Sequence, residues 1–202
     1  MGDAKTLTAA DCAAAASALS VPVATIKAVT SVESRGSGFL SDGVRPVILF
    51  ERHVMRKQLI AHGNTADASH FEHTRPDIVN RAPGGYQGGA AEWDRLDAAV
   101  RIDRQSALES ASWGLFQIMG YHWKALGYAS VQDFVNAMYR SEGAQLDAFV
   151  RFIKVNPNLA IALRKRDWPT FAASYNGPAY KANHYDTKLA AAYQAAGGEV
   201  TA

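Results

Sequence analysis

The chain has 202 residues, 48% apolar and 20% charged, which excludes a disordered chain and suits one domain, or a domain with a small lobe, able to bury a sizeable core. Its formal net charge of +2 and isoelectric point near 8.7 are too mildly basic for a nucleic-acid partner, although they suit an anionic surface. Cys12 is the only cysteine, so no intramolecular disulfide can form; in its alanine-rich setting it reads as a small core residue rather than a nucleophile.

The opening MGDAKTLTAADCAAAASALS is not a signal peptide, because Asp11 and Ser17 break its apolar run and Asp3 spoils a positive leader. A myristoylation pattern at Met1-Gly2, with Thr6 in place, has no second anchoring signal beside it. No apolar run reaches transmembrane length, so stable membrane insertion is not expected.

Residues 7–19 predict a first helix with Thr8 as N-cap. Ser20 is expected to cap a second helix that opens at Val21-Pro22, where proline's missing N–H costs little. That helix, VPVATIKAVTSVES, runs to the break at Arg35-Gly36-Ser37-Gly38. VRPVILFE at 44–51 is the best strand candidate, and RHVMRKQLIAHG then reads as a helix ending at Gly63. Residues 64–90 are rich in breakers and poor in periodicity, so they read as a loop or small lobe that still has Phe71, Ile78, Val79 and Tyr86 to bury. From 91 onward the pattern is helical almost throughout. AEWDRLDAAVRIDRQSALESA reads as one or two helices, SWGLFQIMG follows, and further segments lie around 130–139, 142–153, 158–164 and 167–175, with breaks at Pro157 and Pro178. The sum is an α+β fold, predominantly α-helical, with a small strand-bearing lobe.

Glu33 stands out in the second helix. It aligns with Ile26, Val29 and Thr30 on what should be the buried face. A carboxyl where an apolar core meets solvent has its pKa raised by desolvation, which leaves it protonated and able to act as a general acid. A helix-end glutamate that caps nearby amides or pairs with Arg35 is the competing reading.

Three short motifs then occur in order: Glu33-Ser34, Gly114-Leu115-Phe116-Gln117-Ile118-Met119 and Tyr175-Asn176-Gly177-Pro178. Together they resemble the lysozyme-like superfamily that includes goose-type lysozymes and soluble lytic transglycosylases. The stretches VESRGSGFLSDGVRPVILFERH, the GGY at 84–86, SASWGLFQIMG and DWPTFAASYNGPAY are closer still to the N-acetylmuramidase domain of phage endolysins, over about Leu7 to Tyr193. The resemblance implies a lysozyme-like fold and an enzyme that cuts the β-1,4 bond between N-acetylmuramic acid and N-acetylglucosamine in peptidoglycan. In that setting Glu33 is the acid, and Gln117, Tyr175, Asn176, Ser112 and Trp113 are substrate-binding candidates, Trp113 being equally a core aromatic. Glu51, at the end of the probable strand, ranks first among Asp42, Glu51 and Glu109 as the second carboxylate that handles water, with an ion pair to Arg52, Arg56 or another cation as its alternative. Glu109 is read as a surface charge.

Lytic transglycosylases need no second carboxylate, so hydrolysis and formation of 1,6-anhydro ends both stay open. A zinc amidase or peptidase is the next alternative, on His53, His62, His70, His73 and Glu72; the i, i+3 spacing of His70 and His73 does not match an HExxH helix. A non-catalytic wall-binding module is the last. No metal or cofactor is implied. The expected partner is the glycan strand alone, bound by a monomer of residues 1–202 forming one catalytic domain, since only about 20 residues precede the second helix. Without a signal, such a chain fits a phage endolysin made in the host cytoplasm and released to the wall by a separate pore-former, a prophage product or a tail-delivered lysin. The C-terminal LAAAYQAAGGEVTA lacks the basic amphipathic face that would suggest unaided membrane crossing.

Overall fold

A computed structural model describes residues 5–34 and 36–199. Met1-Gly2, Asp3 and Arg35, the proposed alternative partner of Glu33, lie outside the described residues, as does the chain from Val200 onward. The backbone divides into two compact units, Met1–Gly38 with Ser141–Ala202 and Phe39–Arg140.

The first unit is helical: α1 (Ala9–Leu19), α2 (Val23–Glu33), α8 (Glu142–Lys154), α9 (Pro157–Lys165), α10 (Trp168–Asn176) and α11 (Tyr185–Ala195). Thr8 caps α1 as expected, in a reciprocal box in which Asp11 N donates to Thr8 Oγ1 and Thr8 N donates to Asp11 Oδ2. Ser20 departs from its expected role. It closes α1 in the left-handed conformation, and Pro22 stands at the start of α2. The core of this unit gathers Leu19, Ile26, Val29, Phe149, Ile153, Leu163, Phe171 and Leu189. Cys12 is buried as expected, and burial, reinforced by the Asp11 charge, pushes its thiol up and away from nucleophilic use.

Glu142 ties two distant segments to the start of α8. Its Oε1 accepts from Gly38 N at 2.8 Å and its Oε2 from Leu7 N at 2.9 Å. Gln145 Nε2 donates to Gly38 O at 3.2 Å. A Cβ on Gly38 would lie 2.0 Å from Gln145 Oε1, so only glycine permits this approach. The segment after Glu33 is thereby pinned at its far end.

The second unit wraps a three-stranded antiparallel sheet, β1 (Ile48–Phe50), β2 (Ala111–Trp113) and β3 (Ile118–Met119), in that order. Around it stand α3 (Arg52–Ala61), α4 (Thr65–Thr74), α5 (Ala91–Val100), α6 (Arg104–Glu109) and α7 (Val131–Arg140). Two expectations are corrected here. SWGLFQIM is a β-hairpin inside the stretch read as helical, because Gly114 and Gln117 both adopt positive φ and turn the chain. The breaker-rich stretch after Gly63 contains α4, whose weak periodicity reflects a single buried residue, Ala68. In the C-terminal part, α11 had no counterpart in the sequence-based reading.

The sheet has two unlike faces. Ile48, Phe50, Ala111, Trp113 and Ile118 are buried in the core, whereas Val47, Leu49, Gln117 and Met119 alternate with them and are partly exposed. The register Leu49↔Ser112↔Met119 runs as one row across this open face.

Candidate active site

In the first unit, α2 delivers Glu33 on its last turn. Ile26 and Val29 on the same face are each 1% exposed, while Glu33 itself is half-buried, at the point where the apolar face ends. Asn176, the last residue of α10, donates from Nδ2 to Glu33 Oε1 at 2.9 Å. Burial raises the Glu33 pKa above its ordinary 4.5 and the Asn176 bond opposes that rise, with burial the stronger. Since Oε1 already accepts a hydrogen bond, the proton of the neutral acid belongs on Oε2.

Tyr175 sits beside this pair. Its ring stacks on Phe171 (5.8 Å, 12° between planes) and meets Phe149 and Phe152 edge-on. Burial, then the negative charge of Glu33, push the phenol pKa up, so the group stays a neutral O–H donor. The sequence motif Tyr175-Asn176 is thus brought to Glu33, with Asn176 as the direct partner. Gly177 follows at φ 79°, a turn that ends α10 just past the asparagine.

In the second unit, Glu51 and Gln117 are partly exposed on the side of the sheet that carries Leu49 and Met119, and Ser112 lies on the same side beneath them, 6% exposed. Ser112 Oγ donates to Gln117 Oε1 at 2.8 Å, and Gln117 Nε2 donates to Gly114 O at 2.8 Å and more weakly to Val47 O at 3.4 Å. The carboxamide is therefore engaged in shaping the hairpin on which it sits. Trp113 differs from its neighbours. It is 1% exposed, its indole N–H donates to Leu108 O, and its ring meets Trp93 edge-on at 5.7 Å, so it is a core residue on the opposite face.

Glu51 follows β1, its N–H bonded to Ser110 O at 2.9 Å. Neither expected arginine reaches its carboxylate: Arg52 fans onto the carbonyls of Pro76, Ala82 and Pro83, and Arg56 pairs with Glu72. Instead Tyr86 Oη lies 2.8 and 3.0 Å from its two oxygens. His53 Nδ1 lies 3.1 Å from Oε2, near enough for an ion pair when protonated but out of line for a hydrogen bond. Tyr86 was not read as a site residue, and His53 only as a ligand in the zinc alternative; the glycines at 84, 85, 88 and 89, all at positive φ around Tyr86, were the available signal.

The other two candidate carboxylates have structural work. Asp42 accepts from Val44 N, Arg45 N and Arg45 Nε, which hold its carboxyl down to about 2 and close an exposed turn. Glu109, expected at the surface, is 3% exposed. It accepts from Gln105 Nε2 at 3.1 Å and Trp123 Nε1 at 2.9 Å, and His62 Nε2 lies 2.7 Å away. The histidines of the zinc alternative are dispersed: His62 is on Glu109, His70 and His73 ride on α4, and Glu72 is gripped by Arg56 and Arg81. No group of three metal-ligating side chains converges among the described residues.

Sequence reasoning also missed a buried ion pair. Glu92 is 0% and Arg95 3% exposed. Glu92 Oε1 accepts from Gln87 N and Gly88 N, and Oε2 from Phe50 N and Arg95 Nη1 at 2.8 Å. Arg95 reaches on to the carbonyls of Phe50 and Asp77. Burial alone would raise the Glu92 carboxyl, yet the backbone donors and Arg95 hold it below its ordinary value. This one side chain fixes the end of β1, and hence Glu51, to the loop that carries Tyr86.

Comparison with known proteins agrees with the family resemblance. No match is found among curated proteins. A crystal structure of a Burkholderia AP3 phage endolysin is 49% identical, superimposes with a TM-score of 0.91, and the alignment covers 96% of this chain and 72% of that one. The sequence profile of the N-acetylmuramidases matches residues 22–197, a span that includes Glu33, Glu51, Gln117, Tyr175 and Asn176, and the chain belongs to the N-acetylmuramidase family.

Proposed function

We propose that this N-acetylmuramidase, a peptidoglycan hydrolase, cleaves the β-1,4 bond after N-acetylmuramic acid with Glu33 as general acid. One observation carries the reading: a half-buried carboxyl whose pKa is raised by desolvation, with one oxygen taken by Asn176 and the other left to hold the proton. Protonating the bridging oxygen turns a poor leaving group into an alcohol as the bond breaks. The charge then left on Glu33 is met by the Asn176 N–H already in place, so little reorganisation is needed. Tyr175, kept neutral, supplies a further O–H donor to the acid or to a sugar hydroxyl.

Glu51 is the group proposed to manage the attacking water. Tyr86 fixes the orientation of its carboxylate and leaves it acceptor capacity. Ser112 and Gln117 act by holding the hairpin beneath the open sheet face, where Leu49 and Met119 stand on either side of Ser112. The partner is the glycan strand of peptidoglycan. Similarity to a phage endolysin supports a lytic role at the host wall, the reading being completed by a monomer made in the host cytoplasm, and the family match over residues 22–197 supports a single catalytic domain.

Glu33→Gln should abolish wall lysis in a folded protein; substantial lysis by that variant overturns the assignment. Mass spectrometry of the digested glycan tests the water step. Reducing-end muramic acid is expected, and 1,6-anhydro ends would remove the need for Glu51. Full hydrolytic activity in Glu51→Gln would make that residue structural.

A further inference from the structure

Among the described residues, two aromatic side chains are exposed, Tyr86 at 47% and Tyr121 at 41%. Both stand at the same end of the three-stranded sheet. Glu51 leaves β1 where Phe50 pairs with Ala111 at the start of β2, and Tyr121 follows two residues after Met119 at the end of β3. Tyr86 reaches this end through its bond to Glu51. Two inter-strand spacings put the strand ends that lead to the two tyrosines roughly 10 Å apart.

Each tyrosine sits on a turn pinned by a buried glutamate. Glu92 takes the N–H groups of Gln87 and Gly88, directly after Tyr86. Glu109 takes Trp123 Nε1, two residues after Tyr121, and Gly120 lies so close to Leu108 O that a Cβ there would come within 2.1 Å. The rings are restrained as well: the Tyr86 hydroxyl is tied to Glu51, and the Tyr121 ring rests against His122 with centroids 4.3 Å apart. Burial lowers the His122 pKa, so that neighbour is a neutral ring rather than a cation. Solvent-exposed rings on loose turns are ordinary; exposed rings held in place at the same sheet end as a candidate catalytic carboxylate are preorganised to receive something flat-faced.

We propose that Tyr86 and Tyr121 are glycan-contacting residues, each presenting a ring face to a pyranose of the peptidoglycan strand along the open side of the sheet. The C–H face of the sugar packs on the ring, and the phenol edges remain available to its hydroxyl and acetamide groups. The occupant follows from continuity with the partly exposed side that carries Glu51 and Gln117, and the inference rests on the reading that this enzyme acts on that strand.

The test uses full-length Glu33→Gln protein, which binds without turnover, titrated by calorimetry with a soluble tetrasaccharide of alternating N-acetylglucosamine and N-acetylmuramic acid. Adding Tyr121→Ala should weaken binding about tenfold, or 1.4 kcal/mol, Tyr121→Phe should restore it, and Ile161→Ala, an exposed apolar control in the other unit, should leave it unchanged. Tyr86→Ala should weaken binding in the same way, whereas Tyr86→Phe keeps the ring and retains binding. With Glu33 intact, Tyr121→Ala should raise KM by the same factor with kcat within about twofold. Undiminished tetrasaccharide binding by Tyr121→Ala and Tyr86→Ala overturns the proposal while leaving the Glu33 reading standing. Lysis that survives Glu33→Gln overturns that reading instead.

Discussion

The Asn176 bond gives the sharpest quantitative test of Glu33. Replacing Asn176 with alanine removes the donor 2.9 Å from Oε1, the interaction that opposes the burial-driven rise in the Glu33 pKa. A hydrogen bond to a charged group contributes about 1.5–3 kcal/mol, and because Glu33 is only half-buried, water recovers part of that, so the low end applies. At 1.36 kcal/mol per unit, the pKa should climb by about one unit. An essential acid must be protonated in the free enzyme, so kcat/KM falls on the alkaline side as Glu33 ionises. Asn176→Ala should therefore move the alkaline limb of the kcat/KM profile about one unit upward, whatever it does to the maximal rate. Initial lysis rates at low wall concentration over a buffered pH series provide the profile, and NMR titration of the Glu33 carboxyl provides the pKa directly. A limb that stays in place, or shifts toward acid, would refute the idea that this bond tunes the catalytic proton.

Other outcomes follow from the same structure. Because the folded pKa of Glu33 lies above its ordinary 4.5, the stability linked to that proton is complete below about that pH and lost as pH rises through the folded value. Glu33→Gln should match the parent in thermal unfolding in acid and exceed it near neutrality; equal melting at both would contradict the shift. Glu92 is the opposite case: its folded pKa is lowered, so its contribution is present above the ordinary value and fades as pH falls through the folded one. Glu92→Gln leaves Arg95 charged and buried, at a cost of about 3–5 kcal/mol, or roughly 6–20 °C in Tm by calorimetry. Gly38→Ala forces a Cβ against the Gln145 carboxamide, which is 1% exposed, and should cost about 1–3 kcal/mol by thermal unfolding.

The helices were legible wherever an apolar stripe met a cap. Thr8 opens α1, and the segments read around 142–153 and 167–175 became α8 and α10 with Ser141 and Asp167 as side-chain caps. Glu33 was legible because it broke its own helix's pattern, a charge in line with Ile26 and Val29. The hairpin was not, since Leu115, Phe116 and Ile118 form an apolar run that periodicity alone cannot assign, and the turn depends on Gln117, a non-glycine residue at positive φ. Glu92, Glu109 and Glu142 stayed hidden for a related reason: each looks like an ordinary helix charge until donors from residues 42, 14 and 135 positions away converge on it. Such carboxylates are defined by partners remote in the chain, which local patterning cannot reveal.

The grip of Glu142 on both Leu7 and Gly38 has a practical corollary. Deleting the first eight residues would take away Leu7 N and Thr8 together, leaving Glu142 Oε2 without its donor and α1 without its capping box, so trimming the amino end would loosen two helix starts at once.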